Sequence, residues 1–319
     1  MPSTPFFSVI IPLYNKEIYI SGAINSLLAQ TFSDFEIILI NDGSTDFGFE
    51  IAKKKLSNQK NTTLLSQENQ GLSAARNNAI GKSRGQYIAL LDADDEWLPH
   101  HLEQLYALIN EYPNAGLYST GYSLKKSEHI FHRAKFNDLP KNFRGIVPNF
   151  FKHSLQNCVA WVGAVCFPRK VFDDVDGFDP EIYSEQDTDL YIKIALIYDV
   201  ALDDTSFSAI SNRTQDDNMS SFSNKKHIPK LLYTYKNEEL KDKHLKKYMD
   251  YNRFSTIIYF KLSSNQKLAQ KLMEDMDFNS LNFMQRILLK LPNIVIKLLF
   301  FIKTKLKLNA LKVFKPNET

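Results

Sequence analysis

Four short strand-like runs, each closed by a polar turn and followed by a helical stretch, decide most of what this chain can fold into. They are Phe6–Leu13, Phe35–Ile40, Thr62–Ser66 and Tyr87–Leu91. The apolar runs Phe35–Ile40 and Tyr87–Leu91 read as buried strands, Phe6–Leu13 as a β-branched strand and Thr62–Ser66 as a short third one. Between them Ile18, Ala23, Ile24, Leu27 and Leu28 recur at helical spacing, a lysine-rich helix runs to Leu56, and Gln70–Ser83 reads as a third helix opened by Asn69. Strands alternating with helices imply a parallel sheet with right-handed crossovers. All four strand-to-helix loops then open on one edge. Tyr14, Asp42, the 69–76 segment and Asp92/Asp94 are expected to meet in one cleft there.

The fourth run ends abruptly. Leu90-Leu91 gives way to Asp92-Ala93-Asp94-Asp95, three carboxylates within four residues. Carboxylates crowded at a strand end repel one another unless a cation or polar partners offset the charge. One or two carboxylates plus substrate phosphates are the usual magnesium arrangement. The competing reading is an Asp-rich turn that caps the helix starting near Pro99.

Beyond Pro99 the pattern predicts a helix to about Glu111, a strand over Ala115–Thr120 and a strand over Trp161–Phe167. A helix over Glu185–Tyr198 and edge strands at Val200–Leu202 and Ser206–Ile210 follow. The polar stretch Lys125–Asn157 has no readable period and is expected to be a flap or insertion.

Four motifs in this order identify a family. They are Ser8-Val9-Ile10-Ile11-Pro12-Leu13-Tyr14-Asn15, then Asn41-Asp42-Gly43-Ser44-Thr45-Asp46, then Asn69-Gln70-Gly71-Leu72-Ser73-Ala74-Ala75-Arg76-Asn77, then Asp92-Ala93-Asp94-Asp95. Together they resemble the inverting family 2 glycosyltransferases of the GT-A fold, over about residues 5 to 220. The resemblance implies an α/β fold with a mostly parallel, Rossmann-like central sheet and transfer of a sugar, of the hexosyl class, from a nucleotide donor. The donor is expected to be UDP-linked, and the acceptor a hydroxyl of a glycan or lipid-linked oligosaccharide in polysaccharide assembly.

The resemblance also assigns roles. Tyr14 stacks on the base, Asp42 accepts a base N–H, Arg76 contacts base or phosphate, and Asp92 holds the ribose. Pro12, Asn15, Glu17, Gly71 and Ala93 complete the donor-binding set. Asp94 ligates a divalent cation, magnesium or manganese, with Asp95 beside it. Asp187, in Ser184-Glu185-Gln186-Asp187-Thr188-Asp189-Leu190, stands where the family has its base. Gln186 occupies the place of the family's usual Glu, and Glu185 is a possible substitute. Arg213 fits the first position of an Arg-x-His motif over the diphosphate, but no His follows it. Trp161 either faces the acceptor or belongs to the core. Each role has a bland counterpart: rim packing for Tyr14, a helix cap for Asp42, a surface charge for Arg76, and a helix N-terminal charge for Asp187.

Composition sets the remaining limits. Apolar residues make up 44% and charged residues 24% of the 319, as in ordinary globular proteins. The net charge of +3 is too small to argue for nucleic acid. Cys158 and Cys166 have neither disulfide-framework nor metal-site spacing and read as reduced thiols of a cytoplasmic protein. From Leu281 to Thr319 eight Lys/Arg face Glu318 alone. Apolar groups alternate with those lysines, which fits helices lying on an anionic membrane surface; a packed helical subdomain or a homodimer contact are the alternatives. The expected organisation is a catalytic domain over 1–224, with donor half 1–95 and acceptor half 96–224, followed by a basic helical region over 225–319. No G-x-G-x-x-G follows the first strand, which excludes a dinucleotide-linked dehydrogenase. A catalytically impaired sugar-nucleotide binder on the same fold and a sugar nucleotidyltransferase are the runner-up readings.

Overall fold

The computed structural model describes residues 4–127, 130–212 and 227–305. The described residues fall into two compact units. One takes 4–127, 130–135, 139–148 and 159–212, and the other 136–138, 149–158 and 227–305.

In the first unit the strand–helix alternation is β1 Phe7–Leu13, α1 Ile20–Leu28, β2 Phe35–Asp42, α2 Gly48–Leu56, β3 Thr62–Gln67, α3 Leu72–Lys82 and β4 Tyr87–Leu90. Next come β5 Asp95–Trp97, α4 His101–Glu111, β6 Leu117–Ser127, β7 Ile130–Arg133 and β8 Arg144–Ile146. Helix α5 Phe150–His153 belongs to the second unit, and the chain returns through β9 Val165–Pro168, α6 Arg169–Asp174, α7 Gln186–Ala195 and β10 Val200–Ser211.

The sheet runs β3-β2-β1-β4-β9-β6-β10-β5, with β7 on β6 and β8 on β10. Strands β3, β2, β1 and β4 are parallel, as the alternation demands. Beyond β4 the sheet is mixed rather than mostly parallel, since β9 runs antiparallel to both β4 and β6. Strand β1 is buried along its whole length. Pro12, which has no N–H to give, lies past Ile10, the last β1 residue paired with β4.

Three expectations need correcting. Trp161–Phe167 is not one strand: Val162–Ala164 forms a 3-10 turn, closed by Ala164 N–H donating to Trp161 O, and β9 starts at Val165. The two edge strands predicted over 200–210 are a single strand, β10, and it is interior, paired with β6 and β5. Asp203 and Asp204 interrupt its apolar pattern, but Arg144 pairs with Asp203 and Arg133 with Asp204. The unreadable stretch 125–157 holds the end of β6, then β7, β8 and α5.

The second unit is helical: α8 Leu231–Thr234, α9 Lys236–Glu239, α10 Lys243–Leu262, α11 Gln266–Glu274, α12 Phe283–Lys290 and α13 Asn293–Lys305. Arg253 is fully buried on α10, where Glu239, Asp250 and the Leu232 carbonyl accept from its Nη1 and Nη2. Lys261 donates to the Leu289 and Leu291 carbonyls and so caps the C-terminal end of α12. Leu288, Leu289 and Ile296 are buried, whereas Phe283, Met284, Ile294 and Leu298 are exposed. No described helix is long and apolar enough to cross a membrane.

Candidate active site

The site is built at the C-terminal ends of β1, β2 and β4. After β1 the chain turns at Asn15, whose φ of 51° lies in the left-handed region that asparagine tolerates. That turn lets Asn15 Oδ1 accept from Thr45 N–H at 2.8 Å, while its own N–H donates to Ser44 Oγ at 3.1 Å. Glu17 N–H donates to Asp46 Oδ2 at 2.9 Å, and Glu17 Oε2 accepts from Phe47 N–H at 3.0 Å. Asn15 and Glu17 thus tie the first strand–helix loop to the second. Tyr14 stands on the rim, 39% exposed.

Asp42 closes β2. Its Oδ1 accepts from Gln67 Nε2 at 2.8 Å and Gln70 N–H at 2.9 Å, and its Oδ2 from Gly71 N–H at 3.0 Å. Gly71 precedes α3 with φ 88° and ψ 163°. A Cβ there would meet nothing within 4 Å, so backbone conformation, not space, asks for glycine. Asp42 therefore holds the two residues that lead into α3, whose cap residue makes no side-chain hydrogen bond.

One turn further along α3, Arg76 is buried and points inward. Its Nη2 donates to Asp92 Oδ1 at 2.6 Å, and its guanidinium lies 5.2 Å from the centre of the Phe178 ring. Asn77 brackets the same segment: its Nδ2 donates to Phe178 O at 2.8 Å and its Oδ1 accepts from Phe178 N–H at 3.1 Å. Helix α3 thereby connects the acidic turn to the segment that leads into α7.

The acidic turn is tightly held. Asp92, Ala93, Asp94 and Asp95 are all buried, and Asp95 N–H donates back to Asp92 O at 3.0 Å. Lys16 Nζ lies 2.8 Å from Asp94 Oδ2. A Cβ at Gly163 would sit 2.5 Å from Asp95 Oδ2, so that glycine leaves room for the carboxylate. Trp97 Nε1 donates to Gly163 O at 2.6 Å and fixes the turn. Asn212 N–H donates to Asp94 O, and its Nδ2 to Glu96 Oε1 at 2.8 Å. Behind the turn His101 stacks on Trp97 and bonds Ser208 Oγ through Nδ1; burial, with the His100 charge second, pushes it down to about 3.

Helix α7 starts after Glu185, itself left-handed at φ 66°. Asp187 and Asp189 lie in the first turn, where the helix dipole favours negative charge. They differ in environment. Asp189 is buried and paired with Lys193 at 2.9 Å, whereas Asp187 is half-buried. Gln186, which precedes Asp187 in the chain, is buried.

Among the described residues no three His, Cys, Asp or Glu side chains form a metal cluster. The donor set still fits a divalent cation that arrives with a diphosphate, because Asp94 already holds a cation, the Lys16 ammonium. Such an ion would take one carboxylate from the protein and its other oxygens from phosphate and water.

The family described as Glycosyl transferase family 2 matches residues 8–174, more than half of the chain. The chain belongs to glycosyl transferase family 2. Among the similar proteins, Glycosyltransferase GlyA of Streptococcus pneumoniae is 38% identical over 125 residues, 39% of this chain and 18% of that protein. The uncharacterized glycosyltransferase YibD of Escherichia coli is 47% identical over 111 residues, 35% of this chain and 32% of that one. These matches span a third or less of the relatives' own lengths. The fold resembles that of S. aureus TarS 1–349, crystallised in complex with UDP-GlcNAc, at a TM-score of 0.56 and 23% identity over 68% of this chain and 61% of that one. The family 2 domain thus has the GT-A architecture expected from its motifs.

Within that domain Trp161 is buried and stacked on Tyr122, ring centres 5.2 Å apart, as a core tryptophan. Arg213 lies outside the described residues. Sequence reasoning missed Lys16, Glu96, Asn212 and Gly163. A lone lysine in a loop, or a glycine after a valine, gives no local sign of the carboxylate it meets in space.

Proposed function

We propose that this family 2 chain moves a sugar from a UDP-linked donor to an acceptor hydroxyl with inversion at the anomeric carbon. The observation that carries the reading is the pair of acidic turns joined through α3: Asp92 is held by Arg76, and Arg76 and Asn77 hold the Phe178 segment leading to Asp187. The UDP-GlcNAc complex of TarS supports a uridine diphosphate donor by likeness of fold.

In this reading Tyr14 and the Asp42-capped loop receive the base, and Asp92 the ribose. Asp94 would hold a magnesium or manganese ion, which would supply Lewis-acid stabilisation of the departing diphosphate. Asp187 takes the acceptor proton as the acceptor oxygen bonds to the anomeric carbon and the bond from that carbon to the diphosphate oxygen breaks. A positioned base of this kind contributes roughly 10²–10⁴-fold.

The acceptor is a glycan or lipid-linked oligosaccharide, and the protein works on the inner face of the cell membrane. The exposed Phe283, Met284, Ile294 and Leu298 support this, alongside the basic C-terminal composition. The test is nucleotide release from a panel of nucleotide sugars with magnesium or manganese. Release from a UDP-sugar that Asp94→Asn abolishes supports the reading; a protein that neither binds nor turns over any nucleotide sugar refutes it.

A further inference from the structure

We propose that Lys16 is a tethered counter-cation that occupies Asp94 before the donor arrives and exchanges with the divalent ion. This rests on the reading of Asp94 as the metal ligand.

The two cations that serve the acidic turn are built differently. Arg76 is 1% exposed, bonded to Asp92 and set against Phe178, so it cannot leave without breaking the core. Lys16 is a point charge on a flexible stem, with its side chain 17% exposed. Its backbone is fixed from both sides, since Asn15 and Glu17 are bonded to the second loop, so the ammonium can move while the loop stays. A second resting place lies close by: the ammonium is already 5.5 Å from the centre of the Tyr19 ring.

The consequence is a coupling between nucleotide and metal. A buried carboxylate stripped of its cation carries a large penalty. Lys16 removes that penalty in the empty protein and so competes with a divalent ion for Asp94. An incoming diphosphate offers the ammonium another anion and releases Asp94 to the metal. By linkage, nucleotide diphosphate then tightens metal binding, and metal tightens nucleotide binding, by the same factor. Asp94 is thereby kept from taking up metal before the donor binds.

The test is direct titration of Mn²⁺ by electron paramagnetic resonance with the full chain, with and without UDP. Lys16→Gln should bind Mn²⁺ about tenfold more tightly than the native protein when UDP is absent, and should lose most of the UDP-induced gain. Lys16→Arg keeps the charge and should bind Mn²⁺ no more tightly than native. Unchanged or weaker Mn²⁺ binding by Lys16→Gln, with binding lost in Asp94→Asn, overturns the exchange and leaves the metal assignment standing. Native Mn²⁺ affinity in Asp94→Asn overturns both.

Discussion

Arg76 donates to Asp92 across 2.6 Å with both side chains buried, so one carboxylate of the acidic turn is anchored in the core of the first unit. The same guanidinium lies against Phe178, at the head of the segment that runs to Asp187. Removing one partner of a buried pair leaves an uncompensated charge. Arg76→Met should cost about 3–5 kcal/mol of stability, read as a lower urea midpoint, and donor affinity should fall with it. A midpoint equal to the parent's would show that Asp92 needs no such anchor.

His101 predicts how stability responds to acid. Its folded value of about 3 lies below the unfolded value near 6.5, so protonation favours unfolding. The contribution is complete above pH 6.5 and is lost as pH falls from there toward 3. Between pH 7 and pH 5 the parent should lose about 2 kcal/mol through this group. His101→Gln should remove that part of the slope, measured by urea unfolding at the two pH values.

Gly163 marks where the acidic turn has no slack. A Cβ would lie 2.5 Å from Asp95 Oδ2, and the Trp97 bond prevents the backbone from backing away. Gly163→Ala should destabilise by about 1–3 kcal/mol and shift Asp95, lowering nucleotide-sugar turnover together with melting temperature. Native values for both would mean the turn adapts freely.

The C-terminal helices call for substitution rather than deletion, because Leu288, Leu289 and Ile296 are buried within the second unit. Replacing the exposed Phe283, Met284, Ile294 and Leu298 by serine should weaken binding to anionic vesicles in a sedimentation assay, with the melting temperature preserved. Undiminished vesicle binding would refute membrane docking through this face.

The N-terminal half of the sheet was legible because its central parallel strands are buried and leave apolar runs such as Ile37–Ile40. The other half was not, because its order depends on partners far away in the chain. Asp203 and Asp204 read as the break between two edge strands; Arg144 and Arg133, which pair with them, lie 59 and 71 positions earlier in the chain. Trp161–Ala164 is apolar enough for a strand, yet its backbone turns to receive Asp95 and Trp97. The motifs at Asp42, Arg76 and Asp92 marked the region of the site, but not that Asp42 is engaged by three donors or that Arg76 faces Asp92. Lys16 was invisible for the same reason, since its partner lies 78 positions along the chain.

In the proposed function Asp187 deprotonates the acceptor across the sugar from Asp94. The most direct test of this role compares Asp187→Asn with the parent in a manganese-dependent assay of nucleotide release from the UDP-sugar that the parent uses, with donor affinity measured in parallel. Turnover should fall roughly 10²–10⁴-fold with donor affinity kept. Parent-level turnover in Asp187→Asn would contradict it.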